Sequence, residues 1–113
     1  MGNILNRFRT DRVKKMLSTL ADKHYIKELY LFGSATNGNF DDKRSDLDFF
    51  IVYDSEKINP AMEDYFDRYF DNYMDTIRDL KHLFKKEVDI VTPNNLKNIY
   101  FIEEIQKTRV RLL

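Results

Sequence analysis

An apolar run that stops on a glycine constrains this chain more than any other feature. Ile26 to Phe32 contains Ile26, Leu29, Tyr30, Leu31 and Phe32 and then meets Gly33-Ser34, as a buried strand entering a tight turn would. The sequence has only three glycines, and two of them, Gly33 and Gly38, bracket this turn. Beyond eleven intervening residues, Asp46-Leu47-Asp48 leads into a second run, Leu47-Asp48-Phe49-Phe50-Ile51-Val52-Tyr53, whose aromatic and β-branched residues predict a second strand. Side chains alternate along a strand, so Asp46 and Asp48 are expected on one side of it.

The remaining periodicities fill in an α/β chain. Leu5, Phe8, Val13, Met16, Leu17 and Leu20 form a helical stripe of period 3.6, predicting one amphipathic helix from about Leu5 to Leu20. Its other face carries Arg7, Arg9, Arg12, Lys14 and Lys15 against Asp11; a solvated face is the preferred explanation over attraction of RNA or an acidic partner. Pro60 stands where a second helix can begin, and Met62, Tyr65, Phe66, Tyr69, Phe70, Tyr73, Met74, Ile77, Leu80 and Phe84 keep helical spacing from there. Such an aromatic stripe reads as core or partner interface rather than a ligand platform. Glu87 to Val91 gives a third strand, stopped by Thr92-Pro93-Asn94-Asn95. A last helix is expected from Leu96 or Asn98 to Lys107, and the tail Arg109 to Leu113 can pair as an edge strand.

Bulk properties bound the function. With 113 residues, the chain is expected to be one domain, 1–113, too short to add a separate substrate-binding domain. Nineteen basic residues balance nineteen acidic ones, so no global charge favours nucleic acid or an anionic membrane. Cysteine is absent, which removes disulfides, thiolate metal sites and cysteine nucleophiles. No apolar stretch approaches a signal peptide or a membrane span, and a cytoplasmic location is expected.

The candidate chemistry lies in the turn and the carboxylates. Two unit charges about 4 Å apart repel by on the order of 4 kcal/mol at an effective dielectric of 20, so a positive group is expected between Asp46 and Asp48. Magnesium suits this role, since it takes oxygen ligands from one or two carboxylates plus substrate phosphates. Asp89, flanked by Val88 and Ile90, needs a reason to sit in an apolar strand; beside the second strand it would join the same site as a metal ligand or as general base on an attacking hydroxyl. Gly33 would let backbone amides approach phosphate, and Ser34 adds a hydroxyl donor. The expected reaction is in-line displacement at the α-phosphate of a nucleoside triphosphate. Each element is unspecific alone; in this order, at strand boundaries, they reinforce one another.

The run Leu31-Phe32-Gly33-Ser34 to Ser45-Asp46-Leu47-Asp48-Phe49 resembles the motif of the nucleotidyltransferase superfamily with the DNA polymerase beta-like fold. Lys86-Glu87-Val88-Asp89-Ile90-Val91-Thr92-Pro93 resembles the third-aspartate strand of the minimal nucleotidyltransferase (MNT) proteins, many of them antitoxins paired with HEPN toxins. The resemblance implies a small mixed β-sheet with helices packed on one face. It also implies a Mg²⁺-dependent enzyme that moves AMP from ATP to a hydroxyl of a HEPN toxin. Ser34 with Gly33 would sit on phosphate, Asp46 and Asp48 on metal, and Asp89 would complete the triad. Neither a membrane nor direct nucleic-acid binding is expected. Two other functions compete: a binding-only antitoxin that masks its partner through the long aromatic helix, and nucleotidyl transfer to a small molecule. The sequence departs from many relatives at Asn37, where they carry a basic residue; Lys43 or Arg44 is a candidate substitute, although a solvated loop is the preferred explanation of both. Asp41 and Asp42 read as a polar turn, Glu87 as a strand-end surface residue, and His24 and His82 as surface or satisfied histidines.

Overall fold

The computed structural model describes residues 4–38, 40–58, 60–93 and 98–113. Met1 to Asn3, Asn39, and Asn94, Asn95 and Leu96 of the expected strand stop and helix start lie outside the described residues.

The helix expected over Leu5 to Leu20 is two helices, α1 (Ile4–Phe8) and α2 (Asp11–His24). Thr10 makes the break. Its backbone is extended and its side-chain oxygen accepts from the Val13 amide at 3.3 Å, the geometry of a helix N-cap. The break lets Ile4, Leu5 and Phe8 reach the same core as Leu17 and Leu20. Strand β1 (Ile26–Phe32) follows, then the four-residue helix α3 (Ser34–Asn37), β2 (Leu47–Tyr53) and a short α4 (Ser55–Ile58) that the sequence pattern did not reveal.

The long helix α5 (Tyr65–Phe84) begins five residues later than Pro60 suggested. Ile58 is buried in the core, and residues 60–64 turn back to carry Tyr65 into it. Chain order ends with β3 (Val88–Val91), α6 (Ile99–Thr108) and the edge strand β4 (Val110–Arg111). Asn98 caps α6 by accepting from the Tyr100 amide at 2.9 Å.

The four strands form a mixed sheet in the order β3-β2-β1-β4. β1 runs antiparallel to β2 and to β4, and β2 runs parallel to β3, which α5 makes possible by carrying the chain across between them. On one face, Leu29, Leu31, Leu47, Phe49, Ile51, Val88 and Ile90 pack on α1, α2 and α5, where the Phe8 and Phe84 rings lie 4.7 Å apart. That is the helical layer the sequence led us to expect. The opposite face has a shorter cover. Ile105 of α6 packs on Tyr30, Phe32 and Phe50, and Phe101 sets its ring on the edge of Phe32 at 6.0 Å, because the alternate residues of β1 and β2 are aromatic and need burial.

His24 is satisfied within the fold. Its Nε2 lies 2.6 Å from the Asp79 carboxylate and its Nδ1 3.3 Å from Asn72 Oδ1, which ties α2 to α5. Asp79, hydrogen-bonded by Lys23 and His24, is held below the usual carboxylate range. No helix among the described residues is long and apolar enough to cross a membrane.

Candidate active site at the ends of β1, β2 and β3

The register of the sheet assembles the predicted residues. Phe32, last in β1, pairs with Asp48, and Asp48 pairs across the parallel ladder with Asp89. Neighbouring strands lie about 4.8 Å apart, so two carboxylates stand side by side on one face. Asp46 lies on the exposed approach to β2, where the Leu47 amide donates to the Glu87 carbonyl at 2.9 Å and fixes the entry to the ladder.

Asp89 does not carry the burial cost its sequence neighbours suggested. β3 is amphipathic: Val88 and Ile90 enter the core, whereas Asp89 is exposed on the opposite face. Its role at this place is electrostatic. The Asp48 carboxyl is pushed up to about 6, first by its partial burial and then by the negative charges of Asp89 and Asp46. Like charges directly across a ladder destabilise it, so this end of the sheet is held against its own repulsion.

Gly33 has a more immediate reason to be glycine than access to phosphate. Its backbone sits at φ 73° and ψ −142°, a region essentially confined to glycine. A Cβ there would lie 2.7 Å from Asp48 Oδ2. The turn therefore exists in a form that leaves room for the Asp48 carboxylate. The Gly33 amide itself is occupied, donating to Thr108 Oγ1 at 3.1 Å, while the Thr108 hydroxyl donates to the Glu104 carbonyl at 2.9 Å. Thr108 thus pins α6 to the turn; nothing in the sequence pattern distinguished it, because the contact joins residues 75 apart.

Ser34 opens α3, is half-buried, and its hydroxyl has no partner among the described residues. The Gly33 carbonyl accepts from the amides of Thr36 at 3.0 Å and Asn37 at 3.1 Å, which locks the turn. Gly38 closes it in the left-handed conformation at φ 84°.

The following loop is a polar turn, as expected. Asp41 Oδ1 accepts from the Lys43 amide at 2.9 Å, and Ser45 Oγ accepts from the Asp41 amide at 2.8 Å. Asp42 anchors it, 3.3 Å from Arg7 Nη2 and 3.2 Å from Lys86 Nζ; the Lys86 hydrogen bond, with Arg7 adding to it, holds the carboxyl below its usual range.

The donor set of Asp46, Asp48 and Asp89 is oxygen alone, the chemistry of a hard divalent cation, and a cation would relieve the repulsion that raises Asp48. As the side chains stand, no three acidic or imidazole groups among the described residues converge on one point. The fit is therefore of charge and chemistry.

A mixed sheet with a Gly-Ser turn set against paired aspartates at its end has the layout expected of a nucleotidyltransferase. The chain belongs to the nucleotidyltransferase domain family, whose model matches residues 13–112. A protein of Methanocaldococcus jannaschii, assigned by inference as a protein adenylyltransferase, is 26% identical over 95 residues, covering 84% of this chain and 85% of that one. The fold is similar to that of a structure assigned as a minimal nucleotidyltransferase, with a TM-score of 0.65 at 19% identity, covering 97% of this chain and 95% of the other. It is also similar to a toxin–antitoxin crystal structure with AMP-PNP, with a TM-score of 0.61 at 15% identity over 88% of this chain and 72% of the other. A complex of a tri-AMPylated HEPN toxin with its MNT antitoxin from Shewanella oneidensis gives a TM-score of 0.53 at 14% identity, over 88% of this chain and 68% of the other.

Proposed function

We propose that this nucleotidyltransferase acts as one minimal domain in the cytoplasm, moving AMP from ATP to a hydroxyl of a HEPN-type toxin and thereby silencing it. The observation that carries the proposal is the in-register pairing of Asp48 with Asp89 beside a glycine that has no room for a side chain. The names carried by similar proteins, which include a tri-AMPylated HEPN toxin and a toxin–antitoxin pair with AMP-PNP, support the choice of nucleotide and acceptor.

Each residue has a distinct task. The hydroxyl of Ser34, without a partner among the described residues, donates to the phosphates as they enter past Gly33, while the Gly33 amide, already bonded to Thr108, keeps the turn in place. Asp46 and Asp48 would hold Mg²⁺, which when bound would supply charge neutralisation for the phosphates. Asp89, exposed beside Asp48, accepts the proton of the acceptor hydroxyl as its oxygen forms a bond to the α-phosphorus. The bond from that phosphorus to the bridging oxygen breaks, and pyrophosphate leaves toward Ser34.

Incubation with labelled ATP, Mg²⁺ and the protein encoded by the neighbouring gene tests this directly. The partner should become labelled, and Asp46→Asn with Asp48→Asn should cut the rate on the order of a hundredfold or more, given several kcal/mol of charge stabilisation removed. A second function has its own support. Phe66, Phe70 and Met74 recur every four residues along α5 and are exposed, Phe66 at 82% and Phe70 at 60%, so its outer face offers an apolar stripe for masking a partner without chemistry. If the double variant neutralises the toxin as well as the wild type does, masking rather than transfer is the antitoxin mechanism.

A further inference from the structure

Beside the carboxylates lies a cleft of about 400 Å³ between the 41–46 loop and the junction of α5 with β3. Five cations line it, Lys43, Arg44, Lys81, Lys85 and Lys86, against three carboxylates, Asp42, Asp46 and Glu87. Two of the cations have fixed partners: Lys86 holds Asp42 at 3.2 Å and Lys81 holds Glu87 at 2.9 Å. Lys43, Arg44 and Lys85 are exposed, and none of them makes an ion pair among the described residues. Lys85 also occupies a left-handed position at φ 54°, where glycine would end the helix with less strain, yet the chain keeps a cation there, lining the cleft.

The position of the cleft relative to Gly33 gives it meaning. β2 lies between β1 and β3, Gly33-Ser34 continues from β1, and Lys85, Lys86 and Glu87 lead into β3. Asp48 leans on Gly33 whereas Asp46 lines the cleft, so the two flank the pair of aspartates from opposite sides. An in-line displacement needs the attacking and leaving oxygens on opposite sides of the phosphorus. With pyrophosphate leaving toward Ser34, the acceptor must arrive from the side of the cleft.

We propose that the cleft is the acceptor subsite and that it binds acidic side chains flanking the acceptor hydroxyl of a protein substrate. This rests on the assignment of the site to AMP transfer onto a protein. Three aspartates would otherwise repel an acidic segment; Lys43, Arg44 and Lys85 offset that repulsion and select for it. The same cations do not serve the triphosphate, which lies on the Ser34 side.

The test uses the full chain and three fluorescent probes: a random Glu–Tyr copolymer, a Lys–Tyr copolymer and a uridine oligomer. The wild type should bind Glu–Tyr in preference to the other two, more weakly as salt rises. Lys43→Glu with Arg44→Glu and Lys85→Glu should weaken that binding at least about tenfold, following removal of several close charge pairs. The neutral set Lys43→Gln, Arg44→Gln and Lys85→Gln should give an intermediate loss, and both sets should leave ATP affinity and the melting temperature in place. Failure of the wild type to bind Glu–Tyr, equal binding of both copolymers, tighter binding of the uridine oligomer, or a loss of ATP affinity in place of copolymer affinity would each overturn the proposal. AMP transfer is measured separately. Cleft-dependent Glu–Tyr binding without transfer to any protein supports the subsite and removes the transfer reaction; transfer that is indifferent to both charge sets removes the subsite alone.

Discussion

The two faces of the sheet are made of alternate residues of the same strands and have opposite physical characters. Toward α1, α2 and α5 the side chains are Leu29, Leu31, Leu47, Phe49, Ile51, Val88 and Ile90, and each is almost fully inaccessible. On the other face, one residue along in every case, stand Tyr30, Phe32 and Phe50 under α6, and at the open end Asp48 and Asp89. The first face supplies the hydrophobic driving force; the second carries like charges in register, a strained glycine and an exposed acid. The pleat of a strand thus lets one short segment stabilise the fold and hold a destabilising arrangement at once. The candidate site lies on the face that the fold least needs for stability.

The sharpest way to break that contrast is to truncate one residue on each face. Phe49→Ala, which empties the centre of the inner face where Phe8 and Phe84 meet it, should cost about 3–5 kcal/mol, a large share of the roughly 5–15 kcal/mol that stabilises a domain. Val52→Ala on the opposite face, only partly buried, should cost about 1 kcal/mol. Urea denaturation measures both. Equal losses would mean that the two faces contribute alike and that the division of labour is wrong.

The glycines give the next largest effect. Gly33→Ala places a methyl group 2.7 Å from Asp48 Oδ2 and forces φ 73° with ψ −142° on a residue with a side chain, at roughly 1–3 kcal/mol for the backbone before the clash is added. Gly38→Ala meets nothing within 4 Å and carries only the left-handed cost, about 1–2 kcal/mol. In thermal melts Gly33→Ala should be the more damaging, and Asp48→Ala in the same chain should recover the part due to the clash. No recovery would show that the backbone conformation alone requires the glycine.

Much of this arrangement was legible because strands report locally. The strands over Leu47 to Tyr53 and Val88 to Val91 and the edge pairing of Val110 and Arg111 were readable without knowledge of their partner strands, whereas the apolar neighbours of Asp89 suggested a burial that the amphipathic β3 does not impose. Four things were not legible, each for a reason of distance or competition. The break at Thr10 replaced a continuous stripe because a side-chain cap competes with the helical path. The periodic residues of α5 divide into a buried row, with Tyr69, Tyr73 and Leu80, and an exposed row, with Phe66 and Phe70; spacing alone cannot say which row meets the core. Gly33 was expected to serve a ligand, yet its nearest obligation is to Asp48, and Lys43, Arg44 and Lys85 looked like ordinary solvated charges until the β1–β2 loop and the α5–β3 junction closed into one cleft.

The smallest effect is the most informative, because it changes sign. Asp48→Asn should raise stability near pH 7.5, even though it removes a carboxylate proposed to hold the metal. Burial, Asp89 and Asp46 raise the carboxyl from 3.8 to about 6, so the folded chain binds a proton more readily than the unfolded one between those values. Stability from this group is fully present below pH 3.8 and is lost as pH rises through about 6. At neutral pH the ionised Asp48 is therefore a burden, and asparagine removes it while keeping the shape. The shift corresponds to at most about 3 kcal/mol, and because the group is only half-buried we expect about 1 kcal/mol after solvent screening, or roughly 4 °C in melting temperature. Melts from pH 4 to 8 should show a gain for Asp48→Asn above pH 6 that vanishes toward pH 4. Added Mg²⁺ should raise the wild type more than the variant, since a ligand bound only to the folded state stabilises it by mass action. A gain that persists unchanged at pH 4, or a loss at neutral pH, would place the cost of this face somewhere other than the crowded carboxylates.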